Sequence, residues 1–261
     1  MNEHADKIVA FEISPSLLIA VCTPFQRMQL NRTPGTALVL DTTYRITADG
    51  MKLTMFIVRS CSMQGRFFPV MHCLHRSLDS DIYRRIFRAF FNCFGIIGRD
   101  GGFSGLTIDF ADAISEGYSM ACLEHVGGET SVEPGGLEPF LSCLRMCKFH
   151  FLKNLLAFIK DAGAEEDQKR SVIDAAQIML SNAAETGKDS RTFKASEKKL
   201  LSLLTVFSGF DSWKKWWMEN KEGLHWACIT DVGPGATRHA LYDTTNASES
   251  QNRVVKMDHD V

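Results

Sequence analysis

Three carboxylates sit in surroundings that suit chemistry better than solvation. Asp41 follows Leu38, Val39 and Leu40 inside an apolar, β-branched run. Asp109 follows Leu106, Thr107 and Ile108, and Glu249 lies in a helical pattern near the end of the chain. An ionised carboxylate in an apolar strand is costly unless it is paired or bound to metal. Three acids that converge without basic partners repel one another, and divalent cations relieve that repulsion. Two such ions about 4 Å apart activate a water and stabilise the leaving oxygen in phosphodiester cleavage. The expected cofactor is therefore Mg²⁺ or Mn²⁺, two ions. Taken singly, each acid has a plainer reading: a strand Asp that caps a turn, or a helix Glu on a solvated face. The three together carry the argument.

Two other constellations are visible. Cys147 and His150 stand at i and i+3, and His225 and Cys228 repeat the spacing in mirror order, which is a candidate Cys2His2 zinc site. Such pairs arise often by chance, so the favoured reading makes Cys147 a core residue and His150 a local hydrogen-bonding partner near the acids. A Cys147–His150 nucleophile pair lacks an orienting third group. Trp213, Trp216 and Trp217 cluster with Lys214 and Lys215. The i, i+4 spacing of Trp213 and Trp217 favours a core stripe for at least two of them. Lys148, Lys153 and the basic run at 188–199 are candidate phosphate contacts, although a charge run is more often a solvated face.

These residues need elements to hold them. Residues 36–46, 52–61 and 67–75 read as three strands joined by tight turns, an antiparallel meander. In 80–96 the apolar period changes to three and four residues, a helix capped by Ser80 or Asp81. A fourth strand (105–110), a second helix, a glycine-rich loop (127–136), a fifth strand (140–147) and a helix over 148–161 follow. From 165 to 225 the pattern is helical throughout, and 244–257 reads as a last helix. Three antiparallel strands followed by alternating strands and helices is the RNase H-like order. The expected fold is α/β: an RNase H-like mixed sheet with an all-helical insertion before the last catalytic helix. The divisions are a lead-in at 1–35, a core at 36–150, an insertion at 151–243 and a C-terminal catalytic helix at 244–261. In that sheet the first and fourth strands are neighbours, so Asp41 and Asp109 meet at one end.

Composition narrows the class. Of 261 residues, 45% are hydrophobic and 23% charged, enough for a normal globular core. No apolar run is long enough for a membrane span, and MNEHADKIVAF lacks a signal peptide's basic start and apolar stretch. An intracellular location is expected, with the eight cysteines reduced. The net charge of −2 means that any DNA contact uses local basic patches or another domain.

Several blocks in order resemble the Mutator-like (MULE) transposases, from about Cys22 to Lys256. LDTTYRIT, with Thr43, Tyr44 and Arg45 after Asp41, resembles the family's block around its first catalytic Asp. FFPVMHCLHRSLDSDIYRRIF resembles the third strand and first helix, and LTIDFADAI the block of the second catalytic Asp, on Asp109. CKFH resembles the Cys-x-x-His signature, on Cys147 and His150. GLHWACI resembles the block before the third acid, and TTNASESQNRVVK the Thr-x-Asn-x-x-Glu-x-x-Asn block, with Glu249 flanked by Asn246 and Asn252. The resemblance implies a DDE-type DNA transposase, Mg²⁺-dependent, acting on transposon ends and target DNA as a homo-oligomer and not on membranes. It makes Arg45, Lys148, Lys153, Trp216, Asn246 and Asn252 candidate DNA contacts. Aromatics of the insertion in related transposases stack on flipped bases, a contact that contributes about 1–3 kcal/mol per base.

Two departures qualify the expectation. The loop at 127–136 lengthens the interval from Asp109 to Cys147 (147 − 109 = 38), and the separate DNA-binding module usual near the N-terminus is missing. The chain then reads as a catalytic core, a truncated copy or a domesticated relative. The rival from another class is a domesticated DNA-binding or regulatory protein without catalysis. The intact acids weigh against it and the near-neutral charge weighs for it. An ordinary RNase H-type nuclease fits the helical insertion and the Asn-x-x-Glu block less well.

Overall fold

A computed structural model describes residues 7–13, 16–31, 37–43, 46–60, 66–97, 103, 105–109, 111–126, 143–186 and 190–219. In chain order its elements are β1 (Ile8–Glu12), β2 (Leu18–Val21), α1 (Pro24–Asn31), β3 (Ala37–Thr43), β4 (Lys52–Ser60) and β5 (Arg66–His75). Then come α2 (Ser80–Phe94), β6 (Gly105–Ile108), α3 (Asp112–His125), β7 (Leu144–Met146), α4 (Lys148–Asp161), α5 (Glu166–Thr186), α6 (Arg191–Leu204) and α7 (Phe210–Lys214). A π-helical turn, Lys215–Glu219, continues α7.

The fold class is α/β, with one mixed sheet in the order β1-β2-β5-β4-β3-β6-β7. β3, β4 and β5 form the expected antiparallel meander, and β6 and β7 add to it in parallel. Residues 1–35, expected as a lead-in, instead contribute β1, β2 and α1. β2 pairs with β5 from Leu18↔His75 to Val21↔His72. α1 opens with a capping box: the Thr23 hydroxyl accepts from the Gln26 amide at 3.2 Å, and the Gln26 side chain accepts from the Thr23 amide at 2.7 Å. Pro24 takes the first helical position, where its missing N–H costs nothing.

Alternation along the strands divides the sheet's two faces. Leu38, Leu40, Phe56, Leu106, Ile108, Leu144 and Met146 join α2 and α3 in the larger core. Phe56 stacks on Phe90 with centroids 4.2 Å apart, and Phe87 meets Tyr118 edge-on at 5.1 Å. Burial of each such ring contributes about 1.5–3 kcal/mol. Val39, Leu53, Met55 and Ile57 form a smaller cluster on the other face.

Asp79 caps α2, rather than Ser80 or Asp81: its carboxylate accepts from the Ile82 amide at 2.9 Å. The cap falls one residue earlier because Asp79 has extended backbone, while Ser80 already belongs to the helix. α2 and α3 cross closely at Gly117. A Cβ there would lie 2.6 Å from Tyr83 Cβ and 2.7 Å from the Arg84 amide nitrogen. At the other end of α2, buried Arg85 donates to Glu12 at 2.5 Å and to the Ser16 carbonyl at 2.8 Å, which ties β1 to the helix. Burial raises the Glu12 carboxyl, but its bonds to Arg85 and Arg88 hold it below the ordinary value.

The helices from α4 onward build a separate core of Phe151, Leu155, Ile159, Met179, Leu200, Leu204, Trp213 and Trp217. Its apolar residues recur at three and four positions along α4, as the sequence pattern requires. Phe158 stacks on Trp213 with centroids 5.6 Å apart. Among the described residues, no helix is long and apolar enough to cross a membrane. The described cysteines, Cys22, Cys73, Cys93, Cys122, Cys143 and Cys147, are thiols outside any disulfide, and all but Cys93 are buried.

Candidate active site

The parallel pairing of β3 with β6 matches Ala37 to Gly105, Leu38 to Leu106 and Val39 to Thr107. The offset is 105 − 37 = 68. Asp41 and Asp109 are separated by the same 109 − 41 = 68, so extending the register brings the two carboxylates level on adjacent strands. β6 pairs with β7 at an offset of 38, Leu106 to Leu144 and Ile108 to Met146. That offset brings Cys147 level with Asp109, and the Cys147 amide donates to the Ile108 carbonyl at 3.0 Å. Asp41, Asp109 and Cys147 thus form one row across three parallel strands, at their C-terminal ends. The row shares its face with Val39 and Thr107, away from α2 and α3.

Each strand brings its residue there for a local reason. Asp41 is 8% exposed, held in β3 between buried Leu40 and half-buried Thr42. Asp109 follows β6 directly and is half-buried. Cys147 is fully buried at the N-cap position of α4, with extended backbone, and makes no side-chain cap. The start of α4 then turns His150 back over the row. Its Nδ1 lies 3.3 Å from Asp109 Oδ1. That atom is buried and makes no well-directed hydrogen bond, so the contact is one of charge rather than of hydrogen-bond geometry. Burial lowers the His150 pKa, but the Cys147 side chain and the Asp109 and Asp41 carboxylates outweigh it, and the imidazole stands above its usual value of 6.5. Both acids therefore act on one ring.

One more residue belongs here. Arg145 pairs with Thr107 in the register and shares the face of the row, one step back from Cys147. It is 9% exposed. The sequence carried the signal: an arginine inside the apolar run CLRMC is as costly as an aspartate inside LVLDT unless it has a partner.

No protein-family model matches the chain, and no curated protein matches it.

The remaining candidate residues divide into three groups. Lys148 is half-buried and Lys153 exposed, both on α4, which begins at the acidic row. Trp213 and Trp217 are core residues, as their spacing suggested, while Trp216 is 41% exposed. Arg45, His225, Cys228, Asn246, Glu249 and Asn252 lie outside the described residues, so the second half of the zinc reading and the third acid do too. Among the described residues, no three His, Cys, Asp or Glu side chains are placed to hold one ion together. The two level aspartates are hard oxygen donors from rigid strands, a donor set that suits Mg²⁺ or Mn²⁺ rather than a thiophilic metal.

Proposed function

We propose that the chain is the catalytic domain of a DDE-type DNA transposase of the Mutator-like kind, with an RNase H-like fold. The observation that carries this reading is the levelling of Asp41 and Asp109 on neighbouring parallel strands. The strand order β5-β4-β3-β6-β7, antiparallel and then parallel, supports it. So does the run of helices from Lys148 to Glu219, in the stretch where the motif reading expects an insertion at 151–243. Asp41 and Asp109 are the proposed cation ligands, and Glu249 completes the set from the Thr-x-Asn-x-x-Glu-x-x-Asn block. Two bound Mg²⁺ or Mn²⁺ ions supply activation of water and stabilisation of the leaving oxygen.

The protein's own groups do the rest. Neighbouring parallel strands carry the two carboxylates, Asp41 within β3 and Asp109 directly after β6. The positively biased His150 sits against Asp109 and lowers the repulsion between the acids when no cation neutralises them. Lys148 and Lys153 lie where α4 leaves the site and are suited to the phosphates of a bound strand, as Arg45, Asn246 and Asn252 are in the motif reading. The proposed reaction is attack of water on a phosphodiester at the transposon end, which releases a 3′-hydroxyl. That hydroxyl then attacks target DNA. A nuclear site of action and a homo-oligomer follow from this reading.

The test is nicking of DNA in Mg²⁺ or Mn²⁺ by wild type, Asp41→Asn, Asp109→Asn and Glu249→Gln. Each substitution should reduce cleavage by about 1,000-fold or more while leaving the unfolding transition in place. Normal cleavage by any one variant removes that residue from the triad. DNA binding unaffected by chelator, with no nicking by the wild type, would favour the non-catalytic DNA-binding or regulatory alternative.

A further inference from the structure

A buried chain of hydroxyls runs behind Asp41, on the opposite face of the sheet. Thr42 Oγ1 lies 2.7 Å from Thr54 Oγ1 and 3.1 Å from the Tyr83 hydroxyl. Thr54 Oγ1 lies 2.7 Å from His75 Nε2, and His75 Nδ1 lies 2.7 Å from the Ser77 carbonyl oxygen. Thr54 and His75 are fully buried and Tyr83 nearly so. The chain crosses α2, β3, β4 and β5.

The direction of every proton in it follows from one atom. The Ser77 carbonyl only accepts, so His75 Nδ1 carries the hydrogen. Burial lowers the His75 pKa to about 4, so the ring is neutral near pH 7 and Nε2 accepts. Thr54 must then donate to His75 and accept from Thr42, and Thr42 accepts from Tyr83. No hydroxyl in the chain is left to rotate.

This matters for Asp41 because of where the strand pairing ends. The parallel ladder to β6 runs from Ala37 to Val39, two residues short of Asp41. On the other side, Asp41 is opposite Met55 and Thr42 is opposite Thr54. Beyond Val39 the ladder to β4 continues through Thr43↔Leu53, and the Thr42–Thr54 hydroxyl contact adds a side-chain tie beside Asp41. A Val–Val pair at 42 and 54 would fill similar space without specifying an orientation.

We infer that the Tyr83–Thr42–Thr54–His75 chain is a positioning device that fixes the end of β3 and so presents Asp41 for cation binding. The inference rests on the reading of Asp41 as a ligand. None of the four residues touches the cation; they act through the strand. Groups that orient metal ligands from behind typically change affinity by about 10- to 100-fold when removed.

The experiment is Mn²⁺ titration of the full chain followed by electron paramagnetic resonance, which counts free ion and needs no DNA. Wild type, Asp41→Asn, Thr54→Val, Thr54→Ser and Tyr83→Phe are compared, with melting curves for each. Thr54→Val should weaken Mn²⁺ binding by about tenfold. Thr54→Ser, which keeps the hydroxyl, should stay within about twofold of wild type, and Tyr83→Phe should fall between them. Should Thr54→Val fail to fold, Tyr83→Phe against wild type decides. If wild type and Asp41→Asn bind Mn²⁺ equally, or neither binds it, the reading of Asp41 as a ligand fails, and the inference with it. If only Asp41→Asn loses binding, while Thr54→Val or Tyr83→Phe matches wild type, the ligand stands and the positioning role is overturned.

Discussion

The sheet and the helical block are both well packed, but they differ in what they bury. Among the described residues, the buried polar side chains of the sheet and its helices are Gln26, Asp41, Thr43, Thr54, His75, Arg85, Thr107, Ser115 and Arg145, and the helical block has only Ser196. An apolar core tolerates repacking, whereas a buried polar group holds its neighbours to one geometry. The sheet is therefore the region in which position is specified, and the helices from α4 onward are held mainly by apolar packing. A candidate catalytic row belongs in the first kind of region, and the acids lie there.

The contrast can be broken most sharply at Gly117. Gly117→Ala puts a methyl against backbone atoms of α2 that have no room to yield. It should cost about 3 kcal/mol or more, read as a fall in the denaturation midpoint. An alanine variant of ordinary stability would mean that α2 and α3 are free to separate.

Next in size is a pH effect. The His75 pKa is lowered to about 4 from 6.5, so between those values the unfolded chain takes up a proton that the folded protein refuses. Stability should therefore be full above pH 6.5 and fall as pH drops toward 4, by about 3 kcal/mol for this one group. Half-buried His72, also lowered, adds a loss of the same sign. Denaturation curves at pH 7 and pH 5 should show a slope that His75→Gln reduces. An unchanged slope would show that the ring is already protonated or solvated. His150, at the start of α4, has a raised pKa and so contributes with the opposite sign, its share being lost as pH rises.

The two regions should respond alike at their caps. Asp79 caps α2 and Ser190 caps α6, each through a side-chain oxygen on a backbone amide, at 2.9 and 3.0 Å. Asp79→Ala and Ser190→Ala should each cost about 1 kcal/mol. A much larger loss at Asp79 would mean that its contact with the Ser77 hydroxyl matters more than the cap.

The smallest effect is expected at Trp213. Its Nε1 is buried with no hydrogen-bond partner among the described residues, while its ring stacks on Phe158. Trp213→Phe loses apolar area but also removes a stranded donor, so the change should stay within about 1 kcal/mol. A large loss in a melting curve would mean that the N–H has a partner and that the helical block also specifies position.

Periodicity carries the middle of the molecule well. The meander, α2, β6, α3 and β7 appear near their expected places, and α4 spans Lys148–Asp161 as read. β1 and β2 were not legible. IVAFE and LIAV are short, and they become strands through partners far along the chain, such as Leu18 with His75. The exposure of Trp216 beside buried Trp213 and Trp217 followed from helical spacing. Arg145 carries the same signal as Asp41, a charge in an apolar run, but no motif contains it.

The sequence alone determined the types of the central elements and the presence of Asp41 and Asp109 in apolar strands, because both depend on neighbours within a few residues. The levelling of those acids, the turn of His150 onto Asp109 and the hydroxyl chain behind Asp41 were decided only by the tertiary structure. Each depends on strand register, and a slip of one residue would send every side chain of a strand to the other face.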